Sequence, residues 1–118
     1  MKMLRLYVLA YPVVLPLGFL ASWIAGRLSL GHWPQPSLDD PWLTGWWVQI
    51  PCCITGFLLV VGLPAFVLGN LGLIYRAYRS EPERRKLLIL SASAVAGMVA
   101  SICVIQWDPL GIIAWYMD

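Results

Sequence analysis

Few side chains in this 118-residue chain are suited to chemistry, and they fall in three places. His32, Asp39 and Asp40 share one Pro-rich stretch, where two carboxylates beside an imidazole could exchange protons or hold a cation. Cys52 and Cys53 are adjacent and Cys103 lies far along the chain, a set that could supply a disulfide or thiolate ligands. Asn70, Gln49 and Gln106 are amides in or beside long apolar runs.

Each group also has a plainer reading. Adjacent aspartates among prolines are commonly turn chemistry. Free cysteines in an apolar setting behave as small hydrophobes, although Cys52, Cys53 and Cys103 fall at similar depth and could be bridged on an oxidising side. A mid-helix Asn in lipid most simply makes an interhelical hydrogen bond, with a ligand role as the alternative. With one histidine, no Gly-x-Ser-x-Gly elbow, no His-Glu-x-x-His and no phosphate loop, hydrolase and nucleotide mechanisms lack their parts. No catalytic residue, metal ligand or cofactor is therefore expected.

The elements that carry these residues follow from composition. Hydrophobic residues make up 60% of the chain and charged ones 12%, with mean hydropathy +0.75. A soluble domain carries about a quarter charged residues and could not hide this much apolar surface. An all-α integral membrane protein of three transmembrane helices is the reading. Uncharged runs at 6–26, 41–75 and 87–107 place the spans near 6–27, 46–75 and 86–107. Between them fall an outer loop at 28–45 and an inner basic loop at 76–85, followed by an outer interfacial tail at 108–118. Lys2 and Arg5 ahead of the first run resemble a signal peptide, but the run is long and no small-x-small site closes it, so it is read as retained.

Pro12, Pro16, Pro51 and Pro64 fall inside the first two spans, which are therefore expected to be kinked, with a straighter third. Ser80 and Glu83 have capping-box spacing ahead of the third. Seven basic residues, Lys2, Arg5, Arg76, Arg79, Arg84, Arg85 and Lys86, fall on one side, against Arg27, Asp39, Asp40, Asp108 and Asp118 on the other. The positive-inside rule then gives N-terminus in and C-terminus out. All seven tryptophans, Trp23, Trp33, Trp42, Trp46, Trp47, Trp107 and Trp115, belong to the outer half, whereas Tyr7, Tyr11, Tyr75 and Tyr78 belong to the inner. Asp40-Pro41 and Asp108-Pro109 each precede a Trp at the same offset and are read as starts of short interfacial helices, the second being a short C-terminal helix.

Small residues at spacing of four give each span a packing stripe: Gly18, Ser22 and Gly26; Ala65 and Gly69; Ser93, Gly97 and Ser101. The outer loop, with His32, Trp33, Asp39, Asp40 and Trp42, is the candidate recognition segment, against the simpler reading of a stiff turn resting on headgroups. Asn70 is the candidate intramembrane polar site.

Expected partners are membrane lipids and either other membrane protein subunits or a second copy of the chain. Nucleic acid is excluded, because a net charge of +2 provides no basic stripe. The function expected is a small non-enzymatic accessory or oligomeric subunit of a membrane complex, and compact loops suit a bacterial inner membrane. Two alternatives are a carrier or channel for a small neutral or lipid-like molecule, and an immunity or inhibitor-type membrane protein.

Overall fold

A computed structural model describes residues 1–35, 38–42, 45–108 and 110–117. Pro36 and Ser37 of the outer loop, Leu43, Thr44, the Pro109 of the second Asp-Pro pair and the outer carboxylate Asp118 lie outside the described residues. The described chain is helical without strands. It contains α1 (Lys2–Leu30), α2 (Trp46–Phe57), a π-helical turn (Leu58–Gly62), α3 (Leu63–Arg79), a 3-10 turn (Glu81–Glu83), α4 (Arg84–Trp107) and α5 (Ile112–Met117). Three continuous stretches, Lys2–Leu30, Trp46–Arg79 and Glu81–Trp107, are long and apolar enough to cross a membrane.

α1 is the central element, packing against α2, α3, α4 and α5, while α4 packs against α1 and α3. In the most apolar window of each span, 39% of residues are buried in the first, 28% in the second and 22% in the third. The assembly is a slab of 56 × 25 × 17 Å, so every span keeps a broad outward face. That shape follows from the apolar pattern. Leucine, isoleucine and valine occur all round each helix, and in helices apolar enough to cross a membrane such residues need not turn inward.

The inward stripes run at i, i+4, i+7. On α4 the buried residues are Leu87, Ser91, Ala94, Met98 and Ser101; on α3 they are Phe66, Gly69, Asn70, Leu73 and Ala77. This register places two expected packing residues elsewhere: Ala65 and Ser93 are exposed, each one position off the contact stripe, and Gly97 is only partly covered. Gly69, Ser101, Gly18, Ser22 and Gly26 do lie at helix contacts. A β-carbon on Gly18 would sit 2.8 Å from Thr55 Oγ1, and one on Gly26 would sit 2.8 Å from the Pro34 ring and 3.1 Å from Trp115. The tightest notch is Gly62, where a β-carbon would come within 2.6 Å of the Tyr11 ring.

The capping box does not form. Glu83 has no side-chain bond to the turn; it instead reaches Arg5 at 3.2 Å, with Arg76 at 4.0 Å, and joins α1 to the α3–α4 turn. An ion pair between two helices wins over a local cap because Arg5 arrives on the adjacent helix within reach. Among the described residues no helix starts at Asp40-Pro41: Pro41 and Trp42 form a turn, and the next helix begins at Trp46 after Gly45.

Candidate functional site at the tryptophan end

The chain leaving α1 folds back onto that helix at Trp33 and Pro34. Gly31 ends that helix in the left-handed conformation at φ 76°, and its N–H donates to the Arg27 carbonyl. The chain then turns back so that Trp33 stacks on Trp23, with centroids 4.4 Å apart, and the Arg27 guanidinium lies 5.4 Å from the Trp33 ring centre. Pro34 is buried against Gly26.

The two loop carboxylates are engaged by backbone. Asp39 Oδ2 accepts the Gln35 N–H at 3.0 Å, and Asp40 Oδ1 accepts the Trp42 N–H at 2.8 Å. These are the side-chain-to-backbone bonds that let aspartate hold a turn. His32 Nδ1 lies 3.7 Å from Asp39 Oδ2, and among the described residues no three His, Cys, Asp or Glu side chains come together. The Trp42 carbonyl accepts from Gln49 Nε2 at 3.0 Å, which fastens the loop to the start of α2.

α5 closes this end from within. Asp108, at φ 38°, ends α4 in the left-handed region, and its N–H donates to Val104. Its carboxylate then accepts the N–H groups of Ile113 and Ala114 at 3.1 and 2.9 Å, capping α5. The helix turns Trp115 and Tyr116 inward, at 0% and 5% exposure, which separates them from the exposed Trp46, Trp47 and Trp107. Tyr116 meets Phe19 edge-on at 4.8 Å and donates its hydroxyl to the Cys52 carbonyl at 2.7 Å. Burial, then the nearby Cys52 and Cys53, push its phenol above the ordinary value, so it keeps that proton near neutral pH. All three cysteines are free, Cys52 buried and Cys53 and Cys103 exposed.

Inside the spans, hydroxyls serve backbone carbonyls of neighbouring helices. Ser101 donates to the Pro12 carbonyl, the group four residues before Pro16, which has no N–H to offer it. Tyr11 and Tyr7 donate to the Leu58 and Gly62 carbonyls of the π turn at 2.7 and 2.6 Å. Tyr11 is thus a core residue. Asn70 donates to Phe66 at 3.2 Å and accepts from Ser91 at 2.9 Å, joining α3 to α4. Ser22 donates to Gly18 at 2.9 Å and approaches Thr55 at 3.4 Å.

Ser91, Thr55 and the two tyrosine donors were not legible as site residues from sequence. A proline inside a span leaves a carbonyl that a neighbouring donor can serve, and this signal points to Ser101 on Pro12 alone, since Tyr11 and Tyr7 serve Leu58 and Gly62.

Among the described residues, grooves run along both seams of α4. One, of about 290 Å³, runs between α1 and α4 beside Pro12, Pro16, Ser93, Gly97 and Ala100. The other, of about 550 Å³, lies between α3 and α4 and starts near Tyr78 and Leu88. No family model, curated protein or solved structure matches this chain.

Proposed function

We propose that this protein is a non-enzymatic accessory or oligomeric subunit of a membrane protein complex, seated in a bacterial inner membrane with its N-terminus inside and its C-terminus outside. The carrying observation is the groove between α1 and α4. Its floor contains Ser93, Gly97 and Ala100, small residues that permit close backbone approach by another helix. The chain's own spans do not fill it. The hydroxyls of Tyr7, Tyr11, Ser91 and Ser101 and the Asn70 amide are meanwhile engaged in bonds that hold the chain's own helices together.

The orientation rests on the clustering of seven basic residues at the Arg5–Glu83 end and of aspartates at the other. Bends in the first two spans are supported by the Pro12 carbonyl that takes Ser101 and by the π turn just ahead of Pro64.

Purification in mild detergent or native nanodiscs, followed by mass determination, tests the reading. A co-purifying polypeptide or a defined oligomer, lost in Gly97→Leu, is expected. A strictly monomeric protein with no companion from its native membrane would reject it. Orientation is tested separately by labelling single cysteines at Ser80 and Leu38 in a cysteine-free background. Ser80 should react only from the cytoplasmic side and Leu38 only from the outer side.

A further inference from the structure

The groove between α1 and α4 carries charge at its mouth that the chain itself leaves unused. Lys2 stands seven residues before the groove's Leu9 on α1, and Lys86 stands seven before its Ser93 on α4. Seven residues are close to two helical turns, so each lysine lies on the groove's face of its helix, about 10 Å beyond the inner end. Both are exposed, and among the described residues neither makes an ion pair or a hydrogen bond. The neighbouring cations are placed differently. Arg5 and Arg76 face Glu83, Arg84 donates to the Ala77 and Tyr78 carbonyls, and Arg79 lies 5.2 Å from the Tyr75 ring centre. Arg85 is turned about 100° round α4 from Lys86, onto the face of Leu88 and Ala92 at the α3 seam.

An occupant has to suit both the floor and the mouth. Ser93, Gly97 and Ala100 are small enough for a backbone to come close, and among the described residues the Ser93 hydroxyl has no partner. A helix can offer that hydroxyl a polar group, which an acyl chain cannot. At the mouth, a second copy is the wrong helix. Copies of one chain insert the same way, so any of its spans would bring Lys2 and Arg5, Arg76 and Arg79, or Arg84 to Lys86 against the two lysines. The acids of that end are Glu81 and Glu83, and Glu83 is already shared between Arg5 and Arg76. At its other end the groove runs towards Asp108, which borders the adjoining cavity, so negative charge suits the inner end alone.

We propose that the α1–α4 groove receives one transmembrane helix of a different protein, with small residues facing Gly97 and acidic side chains at its inner end that pair with Lys2 and Lys86. The inference rests on the subunit reading and narrows it to a partner other than a second copy. Membrane proteins concentrate Lys and Arg at their inner ends, so an acidic inner flank is a distinctive mark of that partner. Charges arranged this way set partner choice more than they add affinity.

The test titrates the full chain, in non-ionic detergent at low salt, with a synthetic helix of Leu and Ala that bears a Gly-x-x-x-Gly face, two Glu at one end and a dansyl group at its neutral other end. Energy transfer from the protein's own tryptophans to the dansyl group reads binding. The Glu helix should bind about tenfold more tightly than one with two Lys in their place, the order expected when two screened ion pairs replace two like-charge contacts. Lys2→Gln with Lys86→Gln should erase that ratio, Lys2→Arg with Lys86→Arg should keep it, and Arg85→Gln should leave most of it. Ala100→Leu, at an exposed position on the groove's floor, should weaken both helices. Equal binding of the two helices would overturn the inference, and the subunit reading would stand if Ala100→Leu still weakened both. A homodimer dissolved by Ala100→Leu would put a second copy in the groove, and displacement of the Glu helix by phosphatidylglycerol but not by phosphatidylcholine would put a lipid there. Either result overturns the inference, as does a ratio that survives the double Gln exchange, whereas the subunit reading itself falls only to a lone monomer from the native membrane.

Discussion

At the basic end, α1 is joined to the α3–α4 turn by a partly exposed ion pair between Arg5 and Glu83, whereas at the tryptophan end α5 inserts Trp115 and Tyr116 between the spans. The contrast follows from which forces survive beside a membrane. Exposed ion pairs are weak, because water and salt screen them and two long side chains must be held still. A buried aromatic gains contact on all sides, and Tyr116 adds a hydrogen bond to Cys52. Between these ends the helices meet through glycine notches and hydroxyl-to-carbonyl bonds, the contacts that would hold apolar helices together in lipid.

The comparison can be broken most severely at Trp115. Trp115→Ala should lower stability by about 3 kcal/mol, at the low end for truncating a buried aromatic, while Trp107→Ala, at 77% exposure, should be nearly silent. Thermal unfolding in detergent would measure both, and equal losses would show that burial of the C-terminal helix is not what closes this end.

A smaller effect is expected in the middle of the bundle. Gly62→Val would press against the Tyr11 ring and disturb its bond to Leu58, costing about 1 to 3 kcal/mol. Gly72→Val has open space around its β-carbon and should be neutral or slightly stabilising, because valine is the better helix former. If the two variants melt together, close approach at the π turn is not an important contact.

Removing single donors should come next. Ser101→Ala leaves the Pro12 carbonyl without its partner and should cost about 1 kcal/mol, whereas exposed Ser93→Ala should not be detectable. Amide exchange or equilibrium unfolding in mixed micelles would separate them. The smallest change belongs to the basic end. Glu83→Gln should cost less than about 1 kcal/mol, and the difference from wild type should shrink as salt is raised. A larger, salt-independent loss would mean that the Arg5 contact is more than a screened surface pair.

The sequence by itself determined the class of the molecule. Uncharged runs at least as long as a bilayer needs, bounded by Arg, Lys and Asp, leave few alternatives to apolar helices long enough to span, and the start of the second at Trp46 followed from its aromatic boundary. The small-residue stripes were legible as a type of contact but only partly as positions. Gly18, Ser22, Gly26, Gly69 and Ser101 meet neighbours, while Ala65 and Ser93 turn outward. Periodicity cannot fix that register, because in α4 small and large apolar residues occur on every face, and only the partner helix decides which row is covered.

Tertiary structure alone decided the rest. Glu83 had a local partner by spacing and a better one across the bundle; Tyr11 and Ser101 acquired carbonyls on helices 47 and 89 residues away. The Trp115 side chain became core because Asp108 reverses the chain and caps a helix that returns it inward. Each of these choices is a competition between a local bond visible in sequence and a distant one that exists only after the helices have met.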